Sequence, residues 1–282
     1  MERIKLAVEK AKAQQPENIA AQAISSAKGN LESIEYRDTR VIKLNPETLR
    51  RNKIIAMDKN DVASMSFDFL RTSVLQKMEE KGWKNIAITS PIPGSGKTTI
   101  AVNLAIGIAQ QTNKTSMLID FDLRKPRVGY FLGLQMEKSL NDFLNDTAEI
   151  QDILVNPDIP RFVVIPTNNS VEKPSETLSS KKISSLVNEL SQRYESRIVI
   201  FDLPPTIIAD DVMTMTQQVD CFLIVVPCGL CSKQIVEDCL RLIPPEKVLG
   251  VILNKATSGH NNAYYYDHYK NDAGKSAATK AG

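Results

Sequence analysis

The sequence predicts an α/β domain with a doubly wound, mostly parallel sheet, and three observations carry that expectation. First, short continuous apolar runs recur at 85–89, 116–119, 162–165, 198–201, 222–226 and 248–253. Runs without polar alternation suit strands covered on both faces, as in a parallel sheet. Second, helical patterns lie between the runs. In 98–110, Ile100, Ala101, Leu104, Ala105 and Ile108 repeat at three- and four-residue spacing, and 183–190 and 235–242 behave likewise. Third, a glycine-rich loop joins the first strand pattern to the first of these helices. Strand–helix alternation of this kind implies βαβ units.

In chain order, residues 1–60 are polar and lack a strand signal. Ile4, Val8 and Ala11 mark a short amphipathic helix, followed by a flexible linker low in large apolar residues. Residues 61–256 alternate apolar strands with helices and are expected to form the main folded domain. Residues 257–282 are polar and Tyr-rich and are expected to form a flexible tail.

Composition narrows the function classes. Of 282 residues, 42% are apolar and 24% charged, which excludes wholesale disorder. A formal charge of +2 gives no electrostatic footprint for nucleic acid. No apolar run approaches the ~20 residues that span a bilayer, and 1–10 lacks a signal-peptide core, so a cytoplasmic protein is expected.

The strongest motif is the loop Pro91, Ile92, Pro93, Gly94, Ser95, Gly96, Lys97, Thr98, Thr99. It follows a strand and opens a helix, the context a phosphate loop requires. Glycines at 94 and 96 let backbone N–H groups curl around phosphate oxygens, and the helix start adds partial positive charge. Lys97, expected at a solvent-facing junction, reaches the β/γ-phosphates, and the Thr98 hydroxyl ligates Mg²⁺. Pro91 stands where the usual pattern has glycine.

Two further strands end in acids. Asp120 and Asp122 close the run beginning at Met117, and Asp202 closes the run beginning at Ile198. Open α/β sheets bind ligands at that edge. A strand-end Asp is the Walker B arrangement, where the carboxylate holds Mg²⁺ directly or through water. Phosphoryl transfer to a hydroxyl needs metal ligands and a carboxylate near the acceptor proton, and these three acids supply both.

The runs 89–99, 118–126 and 198–205 together resemble the bacterial tyrosine kinases of capsule and exopolysaccharide synthesis, with their Walker A, A′ and B motifs. Residues 1–60 are similar to a stand-alone, exosortase-associated subgroup of tyrosine autokinases. The resemblance implies a P-loop fold of the MinD/ParA-like kind and an ATP- and Mg²⁺-dependent tyrosine autokinase that regulates polysaccharide polymerisation or export. It implies that Pro93, Gly94, Ser95, Gly96, Lys97, Thr98 and Thr99 hold the triphosphate. Asn254, at the end of 249–254, would contact adenine. Thr98, Asp122 and Asp202 would hold the metal. Asp122, or failing that Asp120, would accept the tyrosine proton, and Arg124 would stabilise phosphate or orient these carboxylates. Pro174–Leu178 and the pair Asp210, Asp211 also have family counterparts. Tyr264, Tyr265, Tyr266 and Tyr269 match the family's autophosphorylated cluster. The implied partners are a transmembrane polysaccharide co-polymerase, which would recruit the protein to the inner face of the plasma membrane, and a second copy of the chain. The family's ring-docking motif Glu-x-x-Arg-x-x-Arg aligns with Met65, Asp68 and Arg71, so only its last residue is kept.

Two other readings remain open here. A MinD/ParA-type ATPase switch shares the fold, but its signature second Lys is absent from 91–95. A nucleotide-binding adaptor without catalysis also fits the loop. Cys228 and Cys231 form a lone C-x-x-C, and Cys221 lies about 20 Å from Cys228 along an extended strand, so no shared zinc site is expected and small buried thiols are.

Overall fold

The computed structural model describes residues 39–256, except 59, 60, 62, 112 and 209. The short N-terminal helix and the Tyr-rich tail fall outside the described residues. Eight strands form one sheet: β1 (Arg40–Val41), β2 (Asn85–Thr89), β3 (Thr115–Asp120), β4 (Val155–Asn156), β5 (Phe162–Ile165), β6 (Arg197–Asp202), β7 (Cys221–Pro227) and β8 (Val248–Asn254). Their order is β1-β4-β5-β3-β6-β2-β7-β8, and every neighbouring pair is parallel except β4 with β5. All six apolar runs are therefore strands, each within one or two residues of its expected bounds.

The α-helices are α1 (Pro46–Arg51), α2 (Ser64–Lys81), α3 (Lys97–Gln111), α4 (Val128–Leu132), α5 (Leu140–Leu144), α6 (Pro174–Leu178), α7 (Lys181–Gln192), α8 (Asp211–Met215) and α9 (Lys233–Arg241). No helix among the described residues is long and apolar enough to cross a membrane.

The helix pattern in 98–110 predicts one buried face, but α3 is buried nearly all round. Val102, Ile106 and Ala109 are as inaccessible as Leu104 and Ile108. The reason is a second layer. α2 packs over α3 with Val74 and Met78, and the segment before α2 adds Leu49, Ile54 and Ala56 to the same core. Full enclosure of an apolar helix removes its surface from water at ~25 cal/mol per Å².

That segment differs from the expected linker. Residues 40–56 fold onto the domain. β1 extends the sheet beside β4, and α1 is capped by Asn45, whose Oδ1 accepts from Glu47 N–H at 2.8 Å. The fully buried Asn103 of α3 fastens residues 53–56. Its Oδ1 accepts the N–H groups of Ile55 (2.8 Å) and Ala56 (2.9 Å), and its Nδ2 donates to the carbonyls of Lys53 (3.0 Å) and Thr99 (2.8 Å). The segment's anchoring combines this polar side chain, some fifty positions away, with the buried Leu49, Ile54 and Ala56.

Register positions the chemistry. Asp120 of β3 lies directly opposite Asp202 of β6, and Asp202 lies opposite Ile88 of β2. The phosphate loop leaves β2 just beyond Ile88. Loop and acids therefore share the carboxyl edge of the sheet, where open α/β sheets bind ligands. Phe121 and Phe201 stack beneath that edge with centroids 5.0 Å apart.

Candidate active site

The loop between β2 and α3 is shaped by two left-handed glycines, Gly94 (φ 73°) and Gly96 (φ 91°). A side chain at Gly94 would meet open space, as a cradle for an absent group should. One at Gly96 would come within 2.3 Å of Asn254 Nδ2. Ser95 turns inward, its hydroxyl donating to the Ile92 carbonyl at 2.7 Å. Pro93 is exposed and Thr99 half-buried. Asn254 donates to the Ser95 carbonyl at 2.8 Å, so it braces the loop backbone, and this contact is the only hydrogen bond of its side chain among the described residues.

Lys97 opens α3 and is not solvent-facing as expected; its side chain is only 11% exposed. Its Nζ lies 2.7 Å from Asp122 Oδ2 and 3.5 Å from Asp202 Oδ1. Burial alone would lower its pKa, but the carboxylates of Asp202 and Asp122 outweigh burial and raise it, so Lys97 stays cationic. Thr98 donates to Asp202 Oδ2 at 2.5 Å. Burial raises the pKa of Asp202 against the opposing effects of Lys97 and Thr98.

The two acids of β3 and its loop do different work. Asp120 is fully buried and clamps backbone: Oδ2 accepts from Arg127 and Val128 N–H, both at 2.8 Å, and Oδ1 from Asp122 N–H at 3.2 Å. Burial, then the nearby Asp202, hold its carboxyl well above the usual range. Asp122 lies nearer the surface and commits one oxygen to Lys125 N–H (3.0 Å) and the other to Lys97.

Arg124 points elsewhere than expected. Its guanidinium forks onto the fully buried Asp211, with Nε 2.9 Å from Oδ2 and an NH2 contact of 3.1 Å to Oδ1. The same nitrogen reaches Asp210 at 3.2 Å and Ser175 Oγ at 3.3 Å, and Ser175 also bonds both aspartates. The β3 loop, α6 and the start of α8 thus meet at one cluster. The sequence marks each of these segments separately, but nothing in their spacing shows that they converge. Asn103 escapes the sequence reading altogether; its one signal is a polar residue inside an apolar helix pattern.

The C-x-x-C is not buried as expected. Cys228 is exposed and Cys231 half-buried, while Cys221 and Cys239 are buried. On the helix before β2, Asp68 pairs with Arg71 at 2.7 Å within α2.

The donor set suits magnesium. Mg²⁺ is commonly held by one or two carboxylates, a hydroxyl and substrate phosphates, without an all-protein cage. Asp202, Asp122 and the Thr98 hydroxyl, grouped around one lysine, are such a set. No group of three or more His, Cys, Asp or Glu residues that would form a cage occurs among the described residues.

Fold and site together define a P-loop nucleotide-binding protein of the α/β class. Residues 83–247 match the AAA domain family. The tyrosine-protein kinase YwqD of Bacillus subtilis is 30% identical over 221 residues, spanning 77% of this chain and 92% of that protein. The chain therefore belongs to the bacterial tyrosine-protein kinase family. Among solved structures, the chimerical protein CapA2B2 is 27% identical with a TM-score of 0.68, covering 78% of this chain and 94% of the other. The MinD protein of Pyrococcus horikoshii, solved with Mg-ADP, shares the fold at 20% identity and a TM-score of 0.51, covering 63% of this chain and 72% of that one.

Proposed function

We propose that the protein is an ATP-dependent tyrosine autokinase that phosphorylates Tyr264, Tyr265, Tyr266 and Tyr269 of its own or a second copy's tail. The observation that carries this reading is the meeting of Lys97 with carboxylates from two separate strand ends, Asp122 and Asp202. A simple P-loop hydrolase needs only one such acid. The second, Asp122, is the less enclosed of the two, and Lys97 would have to turn to phosphate before its Oδ2 could serve an acceptor.

In the reaction the acceptor oxygen bonds to the γ-phosphorus of ATP, the bond to the β-phosphate oxygen breaks, and ADP leaves. Mg²⁺, when bound, offsets charge on the phosphate oxygens. Lys97 would hold those oxygens too, which frees Asp122 Oδ2 to accept the tyrosine proton. Thr98 and Asp202, already paired at 2.5 Å, would hold the metal side. Asp120 positions the loop that carries Asp122 through its three backbone hydrogen bonds. Loop N–H groups from Gly94 to Thr99 would cradle the triphosphate, with Pro93 shaping the turn, and Asn254, which braces the loop at Ser95, would contact adenine.

The role we infer for this activity is regulation of capsule or exopolysaccharide polymerisation or export. Its partners would be a transmembrane co-polymerase, which recruits the kinase to the inner membrane face, and further copies of the chain. The name of YwqD supports the activity. The test is incubation of purified protein with MgATP, followed by mass spectrometry. Phosphotyrosine at residues 264–269 is expected. ATP hydrolysis without phosphotyrosine would instead favour a MinD-type switch.

A further inference from the structure

The loop that carries Asp122 continues into Lys125 and Arg127, two cations that the site above does not use. Both are exposed, and neither forms an ion pair among the described residues. Their backbones, however, are fastened to the strand-end acids themselves. Lys125 N–H donates to Asp122 Oδ1 at 3.0 Å, and Arg127 N–H donates to Asp120 Oδ2 at 2.8 Å. The Arg127 guanidinium stands over the ring of Tyr130, 5.8 Å from its centroid, and that ring is 60% exposed. Two free positive charges and an aromatic face are therefore mounted at the rim of the catalytic carboxylates. Such fixed placement costs a ligand less ordering than mobile surface lysines would.

Charge decides what this rim is for. The floor of the site holds Asp122 and Asp202 against the single cation Lys97. An acidic acceptor peptide approaching that floor would be repelled unless the rim offset it. The acceptor segment carries two carboxylates close to its tyrosines, with Lys270 between them: Asp267 follows Tyr266 directly, and Asp272 follows Tyr269 by three residues. With Tyr266 at Asp122, Asp267 and Tyr269 lie one and three residues away, at most about 10 Å along an extended chain. Any phosphate already on Tyr269 would then sit within the same short reach.

We infer that Lys125 and Arg127 form an anion-recognition subsite that selects tyrosine peptides carrying a carboxylate or phosphotyrosine within a few residues of the acceptor. The inference rests on the tyrosine-kinase reading and names its substrate class. It also accounts for a clustered acceptor segment, because each phosphate added makes a neighbouring tyrosine a better substrate.

The experiment uses the full chain with Tyr264, Tyr265, Tyr266 and Tyr269 changed to Phe, so that its own tail is not an acceptor. Synthetic peptides of residues 260–273 are supplied plain, phosphorylated at Tyr269, or with Asp267 and Asp272 replaced by Asn. The expected KM order is phosphorylated below plain below Asn-substituted, with roughly fivefold between the first two, the scale of a strong exposed ion pair. Lys125→Ala with Arg127→Ala should erase the order by raising KM for the phosphorylated and plain peptides to that of the Asn-substituted peptide, which offers the subsite no anion. Lys125→Glu with Arg127→Glu should invert it. Fluorescence anisotropy of labelled phosphopeptide, with no ATP present, reads the subsite independently of turnover. Equal affinity for phosphorylated and plain peptides, or a preference that survives both double variants, overturns the subsite. Charge-dependent binding without any phosphotyrosine on peptide or parent tail upholds the subsite and overturns the kinase reading.

Discussion

Asp122 and Arg124, two residues apart on one loop, belong to two ionic clusters that behave differently. In the first, Lys97 touches Asp122 at 2.7 Å and Asp202 at 3.5 Å through a single nitrogen, and every member is nearly enclosed. In the second, Arg124 forks onto Asp211 and reaches Asp210, which is 70% exposed. A lysine is a compact charge on a flexible stem and can change partners. An arginine fork matches one carboxylate geometry and fixes it. Enclosure strengthens the first cluster's fields, whereas solvent screens part of the second. The first is therefore suited to exchanging carboxylates for phosphates, and the second to tying three loops together.

Exchanging the cations tests that contrast most severely. Lys97→Met should lower phosphotransfer roughly 10³-fold, the upper range for removing one preorganised electrostatic group. It also leaves Asp122 and Asp202 buried without their cation, so circular dichroism must confirm the fold. Lys97→Arg should be nearly as damaging, because the fork does not fit the enclosed space. Arg124→Lys should cost only a few-fold in kcat. Near-normal turnover in folded Lys97→Met, or equal losses at both positions, would break the comparison.

Next in size is Asp122→Asn, expected to slow transfer about 10²-fold while ATP affinity stays within a few-fold. The pH profile sharpens the assignment. Asp202 is held above the usual carboxylate range by burial, so as pH falls it protonates earlier than an exposed Asp and loses its charge. The acid limb of kcat/KM should therefore begin above the ordinary Asp range. Lys97 is raised, so it keeps its charge as pH rises and contributes no alkaline limb near neutrality. An acid limb confined to the ordinary Asp range would remove the buried Asp202 from the mechanism.

Smaller again is Asp211→Asn. It breaks the charge of the second cluster, and with Arg124 one-third exposed the loss of stability should be about 1–3 kcal/mol, below the range for fully buried pairs. Turnover should fall roughly tenfold through the displaced loop, and Asp211→Glu should restore part of it. A kcat as low as that of Lys97→Met would place Asp211 among the reacting groups.

How legible each feature is in the sequence depends on how it is encoded. The strands and α3 show as contiguous apolar runs, and the phosphate loop and acidic strand ends as contiguous motifs, so register then brings Asp120 opposite Asp202 without further information. The Arg124 cluster is legible only in pieces, because Ser175, Asp210 and Asp211 come from segments whose meeting depends on tertiary packing. The strand-end position of Asp120 reads as catalytic, yet its oxygens are taken by backbone N–H groups. The docking of segment 40–56 is hard to read because its apolar residues form no long regular run and much of its anchor is the distant Asn103 side chain, which hydrophobic periodicity does not show.

Asn103 supplies the least catalytic of these tests. It carries no charge, lies one turn beyond Thr99, and satisfies two donors and two acceptors in the interior. Removing it with Asn103→Ala takes that partner from one buried and three partly buried backbone groups, which should cost about 1–3 kcal/mol. The helix that begins at Lys97 is held separately by the sheet and by α2, so the phosphate loop should keep its place. The expected result is a clear fall in Tm, faster hydrogen exchange in residues 53–56, and turnover within about threefold of the parent at a temperature where the variant is folded. Asn103→Asp should be as destabilising, since it keeps the acceptors but loses the donors to Lys53 and Thr99. If instead turnover collapsed while residues 53–56 stayed protected, the anchor would act on Lys97 itself. The division between an exchangeable lysine cluster and purely structural ties would then fail at this third position.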